Sequence, residues 1–409
     1  MAERHVRVLV VGGGPSGLAA ATELAGSGEV LVVEREQRAG GIPRHSDHTG
    51  YGLRDLRRVM RGPAYAEHWR DRALGAGAEL MESAMVTDWV GDREVWVTSP
   101  AGRQRISADA IVLATGARER PRPARLIPGD RPPGVLTTGQ LQNLVHLHHR
   151  GVGKRAVVVG GELVSWSAVL TLREAGCRTV AMTTAYERSE SYSAFRFFGS
   201  SALRVPVLAR TEVVRIDGRG QVEAVVVRDL DTGERRSIPC DTVVLTGDWI
   251  PDHELARSGG LRIDAGTLGP TVDTALRTST PGVFAAGNLL HPVDTADVAA
   301  LDGTHVARAV RDWLTAGTVQ SGLELTVAAP LRWIAPQVYD PAAPPARRRL
   351  LTWSDAFVTW PVVRARQGGR DIARRRVPWP AAPGRVFRIP VDLLDDADPA
   401  GGPVEIGLA

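Results

Sequence analysis

The feature that most restricts the fold is a glycine-rich turn between a strand and a helix near the start of the chain. The stretch Val6–Val11 (VRVLVV) is a short, mostly apolar run of the buried parallel-strand type. It leads into Gly12-Gly13-Gly14-Pro15-Ser16-Gly17, and the residues from Leu18 onward (LAAATELAGSG) carry a helical pattern. A second apolar run, Val30–Val33, delivers Glu34. In this G-x-G-x-x-G arrangement Gly12 makes the tight turn and Gly14 lets backbone N–H groups approach a pyrophosphate. Gly17 lets the helix pack closely on the strand. The positive N-terminal end of the helix then points at the phosphates. Glu34 lies 22 positions after Gly12, where an acid takes both ribose hydroxyls. This opening predicts an α/β fold with a dinucleotide at its first turn.

A chain of 409 residues is long enough for two or three such domains. Its two cysteines, Cys177 and Cys240, form no CxxC pair, which argues against an iron–sulfur cluster, a zinc knuckle or a redox disulfide. Both are read as small buried packing residues, and no metal site is expected. The formal charge of +4 resides in residues 331–409, with 12 Arg against 8 acids, so nothing marks a nucleic-acid stripe. No apolar run approaches the ~20 residues needed to span a bilayer. No cleavable signal peptide is visible, and the chain is read as cytoplasmic, without a membrane partner.

Three further pieces support the first turn. Gly40-Gly41 follow Glu34, the strand Ala110–Leu113 ends in Ala114-Thr115-Gly116, and Thr280–Asn288 (TPGVFAAGN) forms another buried strand ending in a glycine turn. This set resembles the FAD-binding half of the two-dinucleotide-binding-domain flavoproteins, the pyridine nucleotide-disulfide oxidoreductase superfamily, over roughly residues 5–320. The resemblance implies FAD as cofactor. It places Gly287 and Asn288 along the ribityl and pyrophosphate groups, with Asn288 where most relatives carry Asp. It also implies a helix starting near Thr295 and Ala296 whose N–H groups face the flavin pyrimidine edge and stabilise the reduced ring.

The implied architecture is α/β, with two Rossmann-like three-layer nucleotide-binding domains and a small C-terminal β-rich domain. Residues 1–125 and 270–325 form the FAD domain, and 126–269 the NAD(P)-binding-like domain inserted into it. The third domain, 326–409, is marked by its prolines, four tryptophans and two Arg-Arg-Arg runs. Those runs read as a solvated face or edge-strand protection, or as a docking surface for an acidic protein.

The inserted domain repeats the strand–turn–helix plan with one departure. After Ala156–Val159 comes Gly160-Gly161-Glu162-Leu163-Val164-Ser165, with Glu162 where the second essential glycine belongs. Gly160 keeps the turn and Ser165 remains small enough for helix packing. The carboxylate is expected to satisfy free N–H groups of the helix, standing in for a phosphate while repelling a real one. The following strand offers Thr183 and Thr184 in place of a ribose-binding acid, with Arg188 as the candidate for a 2′-phosphate. The second domain is therefore expected to keep the fold but to bind NAD(P)H weakly or not at all, with a displaced loop that still admits the dinucleotide as the competing reading.

The segments beginning at Gly41, Ala117, Pro133 and Gly287 also resemble one branch of the superfamily. It contains the FAD subunits of opine oxidase, hydrogen cyanide synthase, hydroxyproline dehydrogenase and sarcosine oxidase. The branch implies oxidation of a small amine or related metabolite beside a second flavoprotein or electron-carrier subunit. His45, His48 and Tyr51, with Asp47, form the candidate catalytic cluster, because imidazole can move a proton near neutral pH. A loop-shaping hydrogen-bond role is the alternative. Where the disulfide-reductase branch places redox cysteines, this chain has Thr137, Thr138 and Gln140, which cannot cycle electrons. Three functions follow: an FAD subunit for amine oxidation, an NAD(P)H-dependent flavin reductase serving a carrier protein or quinone, and a non-catalytic FAD-binding scaffold subunit.

Overall fold

The computed structural model describes residues 3–192, 203–291 and 294–409. Pro292 and Val293, just before the expected helix start at Thr295 and Ala296, lie outside them. The chain divides into two compact units: Met1–Arg44, Gly50–Ala117 and Pro251–Ala409 form one, His45–Thr49 and Arg118–Ile250 the other. The edges lie N-terminal to the expected 125 and 269, and residues 326–409 group with the first unit.

In the first unit the parallel strands run in the order Glu79–Met81, Val30–Val33, Glu3–Val11, Gly102–Leu113, Val283–Ala285. Antiparallel strands Glu94–Ser99 and Met85–Gly91 continue the sheet beside Gly102–Leu113. Val8, Leu9 and Val10 are all fully buried, as a parallel strand covered on both faces requires. The helices Pro15–Leu24 and Ala296–Ala316 pack on each other. The longer one buries Ala299, Gly303, Val306, Ala307 and Val310, an apolar stripe at three-and-four spacing.

Residues beyond Leu323 build two further sheets. One runs Val338–Tyr339, Leu323–Val327, Val404–Leu408, Val362–Gln367, Arg370–Arg376; the other Leu331–Ala335, Arg349–Ser354, Phe387–Pro390. Their shared core contains Leu350, Val363, Ala365, Phe387, Ile389, Val404 and Ile406. Buried polar contacts join this segment to residues 272–277. Val272 and Gln337 exchange hydrogen bonds: the Val272 N–H donates to Gln337 Oε1 at 3.1 Å and the Gln337 N–H to the Val272 carbonyl at 3.1 Å. Arg277 Nη1 bridges Asp273 Oδ2 at 3.2 Å and Asp340 Oδ2 at 3.1 Å. Burial pushes the Asp273 carboxyl up to about 6, against the opposing pull of its backbone donors and Arg277.

The second unit has a parallel sheet ordered Val135–Thr137, Thr242–Leu245, Arg155–Val159, Arg178–Thr183, Val207–Leu208. Alternation along the central strand sends Ala156 and Val158 into a core with Leu141, Trp166 and Cys177. Val157 enters the opposite core with Ile216, Val225, Cys240 and Val243. The hairpin of Thr211–Asp217 and Ala224–Asp229 is extended by Arg235–Pro239. Both cysteines are free and buried, in different cores, and burial pushes each thiol up to about 11.

The bridge at Arg277 generates a stability prediction. Arg277→Met leaves two buried carboxylates without their counter-ion, a loss of about 3–5 kcal/mol. The urea midpoint for flavin release should fall accordingly; an unchanged midpoint would show that the bridge is not a structural tie.

Candidate functional site

The first turn is shaped by what its glycines allow. Gly12 has φ +107°, and a Cβ there would stand 2.4 Å from the Ala114 carbonyl oxygen. A Cβ on Gly17 would lie 1.9 Å from the Gly12 oxygen, so helix and turn touch through bare backbone. Gly14 is the N-cap of Pro15–Leu24, with φ −80° and ψ −178° and no side-chain capping bond. A Cβ on Gly14 would find only the Gly41 Cα, 3.9 Å away. Pro15 at the first helical turn has no N–H to satisfy. The Ser16 hydroxyl is buried with no partner among the described residues.

Neighbouring segments close around this turn. Gly40 donates its N–H to the Gly13 oxygen at 2.7 Å, and the Ala114 N–H reaches the Val11 oxygen at 2.8 Å. Thr115 Oγ1 donates to the Asp252 oxygen at 2.8 Å, and Gly116 accepts from the Asp252 N–H at 2.9 Å. Gly287 has φ +73°, with the Ser16 side chain 2.8 Å from where its Cβ would stand. Glu34 is buried; its Oε2 accepts the Gly13 N–H at 2.7 Å and its Oε1 the Glu36 N–H at 2.8 Å. Burial raises its pKa. Open space at Gly14, an unpartnered Ser16 hydroxyl, a free helix N-terminus and a buried acid fit a dinucleotide.

Farther along, Asn288 spends its amide inside the protein. Its Nδ2 donates to the Asp294 oxygen at 3.1 Å and its Oδ1 accepts the Asp294 N–H at 2.9 Å. Asp294 in turn holds Arg388 Nη2 at 2.8 Å from both carboxylate oxygens. The helix begins at Ala296, with Thr295 as its N-cap. Its first turn carries a group that the sequence pattern does not reveal. Buried Asp297 accepts the Arg54 backbone N–H at 2.9 Å and pairs with Arg54 Nη1 at 3.3 Å. The Thr295 hydroxyl also donates to it. Arg54 and Asp297 are 243 positions apart, so no local pattern could have joined them.

His45 and His48 belong to the second unit and Tyr51 to the first. The His48 ring is engaged locally, with Nε2 3.0 Å from Ser46 Oγ and Nδ1 2.8 Å from the Thr49 oxygen. His146, not singled out from sequence, has Nδ1 2.6 Å from the His45 oxygen and Nε2 3.0 Å from Glu174 Oε2. Tyr51 packs against Tyr65 with ring centroids 5.7 Å apart. Thr137 and Gln140 form a reciprocal capping box at the start of Thr138–Gln142, which explains the polar residues there structurally.

At the second turn, one expectation is corrected. Glu162 is the N-cap of Leu163–Glu174 but makes no capping hydrogen bond, so its carboxylate does not satisfy the helix N–H groups. Buried, it turns toward Gly160 and Gly247 instead. Ser165 Oγ sits 2.6 Å from Thr246 Oγ1. A second acid not expected from sequence, Glu190, arrives from the segment after Arg178–Thr183. Burial and the nearby Glu162 charge push its carboxyl up to about 7. Arg125 is held by the carbonyls of Arg120, Thr246 and Gly247 at 2.7, 3.0 and 2.7 Å.

Fold and first turn together define a flavoprotein built on two dinucleotide-binding domains. The chain belongs to the pyridine nucleotide-disulphide oxidoreductase family, whose model matches residues 6–303, and it is an FAD-dependent oxidoreductase. It is similar to a thioredoxin reductase of Treponema pallidum (strain Nichols), 26% identical over 304 residues, covering 70% of this chain and 90% of that one. It is also similar to an opine oxidase subunit of Agrobacterium tumefaciens (strain Ach5), 27% identical over 318 residues. That match covers 69% of this chain and 60% of the relative, so the chain spans less than two thirds of it. The crystal structure of T. acidophilum thioredoxin reductase shares the fold with TM-score 0.64 at 22% identity, over 75% of this chain and 98% of that one.

The raised Glu190 pKa has a pH consequence. Between 4.5, its ordinary value, and about 7 the folded state holds a proton that the unfolded state has released. Stability therefore falls as pH rises through that window, and the penalty is complete above it. Glu190→Gln should stabilise the second unit by up to roughly 3 kcal/mol at pH 8 and by little near pH 4. Equal effects at both pH values in thermal unfolding would contradict this origin.

Proposed function

We propose that this protein is the FAD subunit of a dehydrogenase or oxidase acting on a small amine or related metabolite. The observation that carries the reading is the coexistence of an intact dinucleotide cradle with thiols that cannot work as a redox pair. Cys177 and Cys240 are buried in separate cores, with burial holding both thiols protonated at neutral pH. Electrons leaving the cofactor would therefore not pass through a disulfide of this chain. Similarity to the Agrobacterium opine oxidase protein supports the choice of substrate class.

In this reading Gly12, Gly14, Ser16 and the N-terminus of Pro15–Leu24 bind the pyrophosphate through backbone and hydroxyl donors. Glu34 takes the ribose hydroxyls with the acceptor capacity that Gly13 and Glu36 leave free. Bound FAD supplies the two-electron acceptor. The N-terminus of Ala296–Ala316 would stabilise negative charge on the bound cofactor, and Arg54, paired with Asp297, would offset a carboxylate that otherwise opposes the helix dipole.

A second flavoprotein or electron carrier is the proposed partner. The strand Arg370–Arg376 supports an acidic one: it is the outer strand of its sheet and exposes Arg370, Arg374, Arg375 and Arg376. Asp371 is its one acid, already paired with Arg364, Arg366 and Arg374.

The test is anaerobic reduction of the bound flavin. Amines and amino acids, presented with the partner protein, should bleach the flavin absorbance, whereas NADH or NADPH alone should not within minutes. Rapid bleaching by a reduced nicotinamide alone would replace this reading with that of a flavin reductase.

A further inference from the structure

The two turns can be compared position by position. Gly12, Gly13, Gly14 and Gly17 of the first correspond to Gly160, Gly161, Glu162 and Ser165 of the second. Their backbones match at the critical position. Gly14 has φ −80° and ψ −178°, Glu162 φ −85° and ψ −176°, and each is the N-cap of the helix that follows. The turn has therefore kept its shape, and the change is confined to the side chain. Where Gly14 leaves open space, Glu162 places a carboxylate in a site more than nine-tenths buried. Its Oε2 lies 2.8 Å from where a Cβ on Gly160 would stand, and its Cδ 2.9 Å from the corresponding point at Gly247.

Glu190 repeats the position of Glu34. In the first turn a Cβ on Gly13 would stand 3.0 Å from Glu34 Oε2; in the second, a Cβ on Gly161 would stand 2.4 Å from Glu190 Oε2. The segment is pinned there by Ser189 Oγ donating to the Gly161 oxygen at 2.5 Å and the Ser191 N–H to the same oxygen at 3.2 Å. Trp166 Nε1 holds Ser191 Oγ at 3.1 Å. The bonding nevertheless differs from that of Glu34, which accepts two backbone N–H groups. Glu190 Oε2 and Glu162 Oε1 have no hydrogen-bond partner among the described residues. Two buried carboxylates thus converge on the backbone that a pyrophosphate would need.

We infer that Glu162 and Glu190 close the second dinucleotide turn to nicotinamide dinucleotides. Glu162 occupies the space and carries the charge of the missing pyrophosphate, so a real one meets both a filled volume and a like charge. Glu190 stands where a ribose-binding acid belongs, so a dinucleotide admitted by removing Glu162 meets a site suited to a 2′,3′-diol and repelling a 2′-phosphate. The inference deepens the proposed function by excluding one electron source, and it rests on that reading only there: binding to the second unit is measurable whatever substrate reduces the flavin.

The experiment is calorimetric titration of the FAD-loaded protein with NADH and with NADPH. The proteins are wild type, Glu162→Gly, Glu162→Gly with Glu190→Gln, and Glu162→Gln with Glu190→Gln. Flavin content and circular dichroism identify which variants are folded. Wild type should show no saturation up to about 1 mM, and Glu162→Gly should gain at least about tenfold in affinity for NADH. That single variant should favour NADH over NADPH by about tenfold, a preference that falls when Glu190→Gln is added. The Gln pair keeps the volume and removes the charge, so it should bind more weakly than Glu162→Gly. Wild-type binding below about 10 μM would overturn the inference, and so would folded variants that gain no affinity. Flavin bleaching by an unidentified amine bears on the proposed function alone and leaves this result standing.

Discussion

The molecule depends on one contact that is not made by a side chain. A helix N-terminus binds a phosphate only if its free N–H groups can come within hydrogen-bond distance, and the residue before the helix decides whether they can. In the first unit that residue is Gly14, which leaves the approach clear. In the second it is Glu162, on nearly the same backbone. Sheet, turn and helix are held in common, and the Glu162 carboxylate, with Glu190 beside it, is what is inferred to close the second site.

The rest of the first unit keeps that cradle and its downstream helix in place. Gly40-Gly41, Ala114-Thr115 and Gly287 meet around the first turn at distances that a Cβ on Gly12, Gly41 or Gly287 would crowd. The C-terminal segment reaches the same region. Arg388 holds Asp294, which is clamped by Asn288 and immediately precedes the Thr295 cap. Arg347 pairs with buried Asp302 on the helix itself at 3.2 Å. The proline- and tryptophan-rich residues after 326 thus brace the helix whose end is proposed to face the flavin.

The parts legible in the sequence were those encoded locally. Strand Val6–Val11, the glycine turn, the helix after it and Glu34 lie within one stretch, and their periodicity and spacing carry the physics directly. The departure at Glu162 was visible for the same reason, although where its carboxylate would turn was not: helix N–H groups and the space beside Gly247 compete for it, and only packing decides. Residues that act across long sequence distances were not legible. Glu190 reaches Gly161 from beyond the strand end where a ribose acid is sought, so Thr183 and Thr184 suggest an empty position that the fold fills. Arg54 meets Asp297 through the fold alone. His48 looks reactive by residue type, and local contacts to Ser46 and Thr49 occupy both its ring nitrogens.

A protein with one open and one closed turn holds a single dinucleotide. Counting the dinucleotides released when the purified protein is denatured, by chromatography against protein concentration, tests it most directly. The expected result is about one FAD per chain and no stoichiometric NAD or NADP, as one helix N-terminus open to a pyrophosphate requires. A second dinucleotide recovered in amounts matching the protein would contradict it.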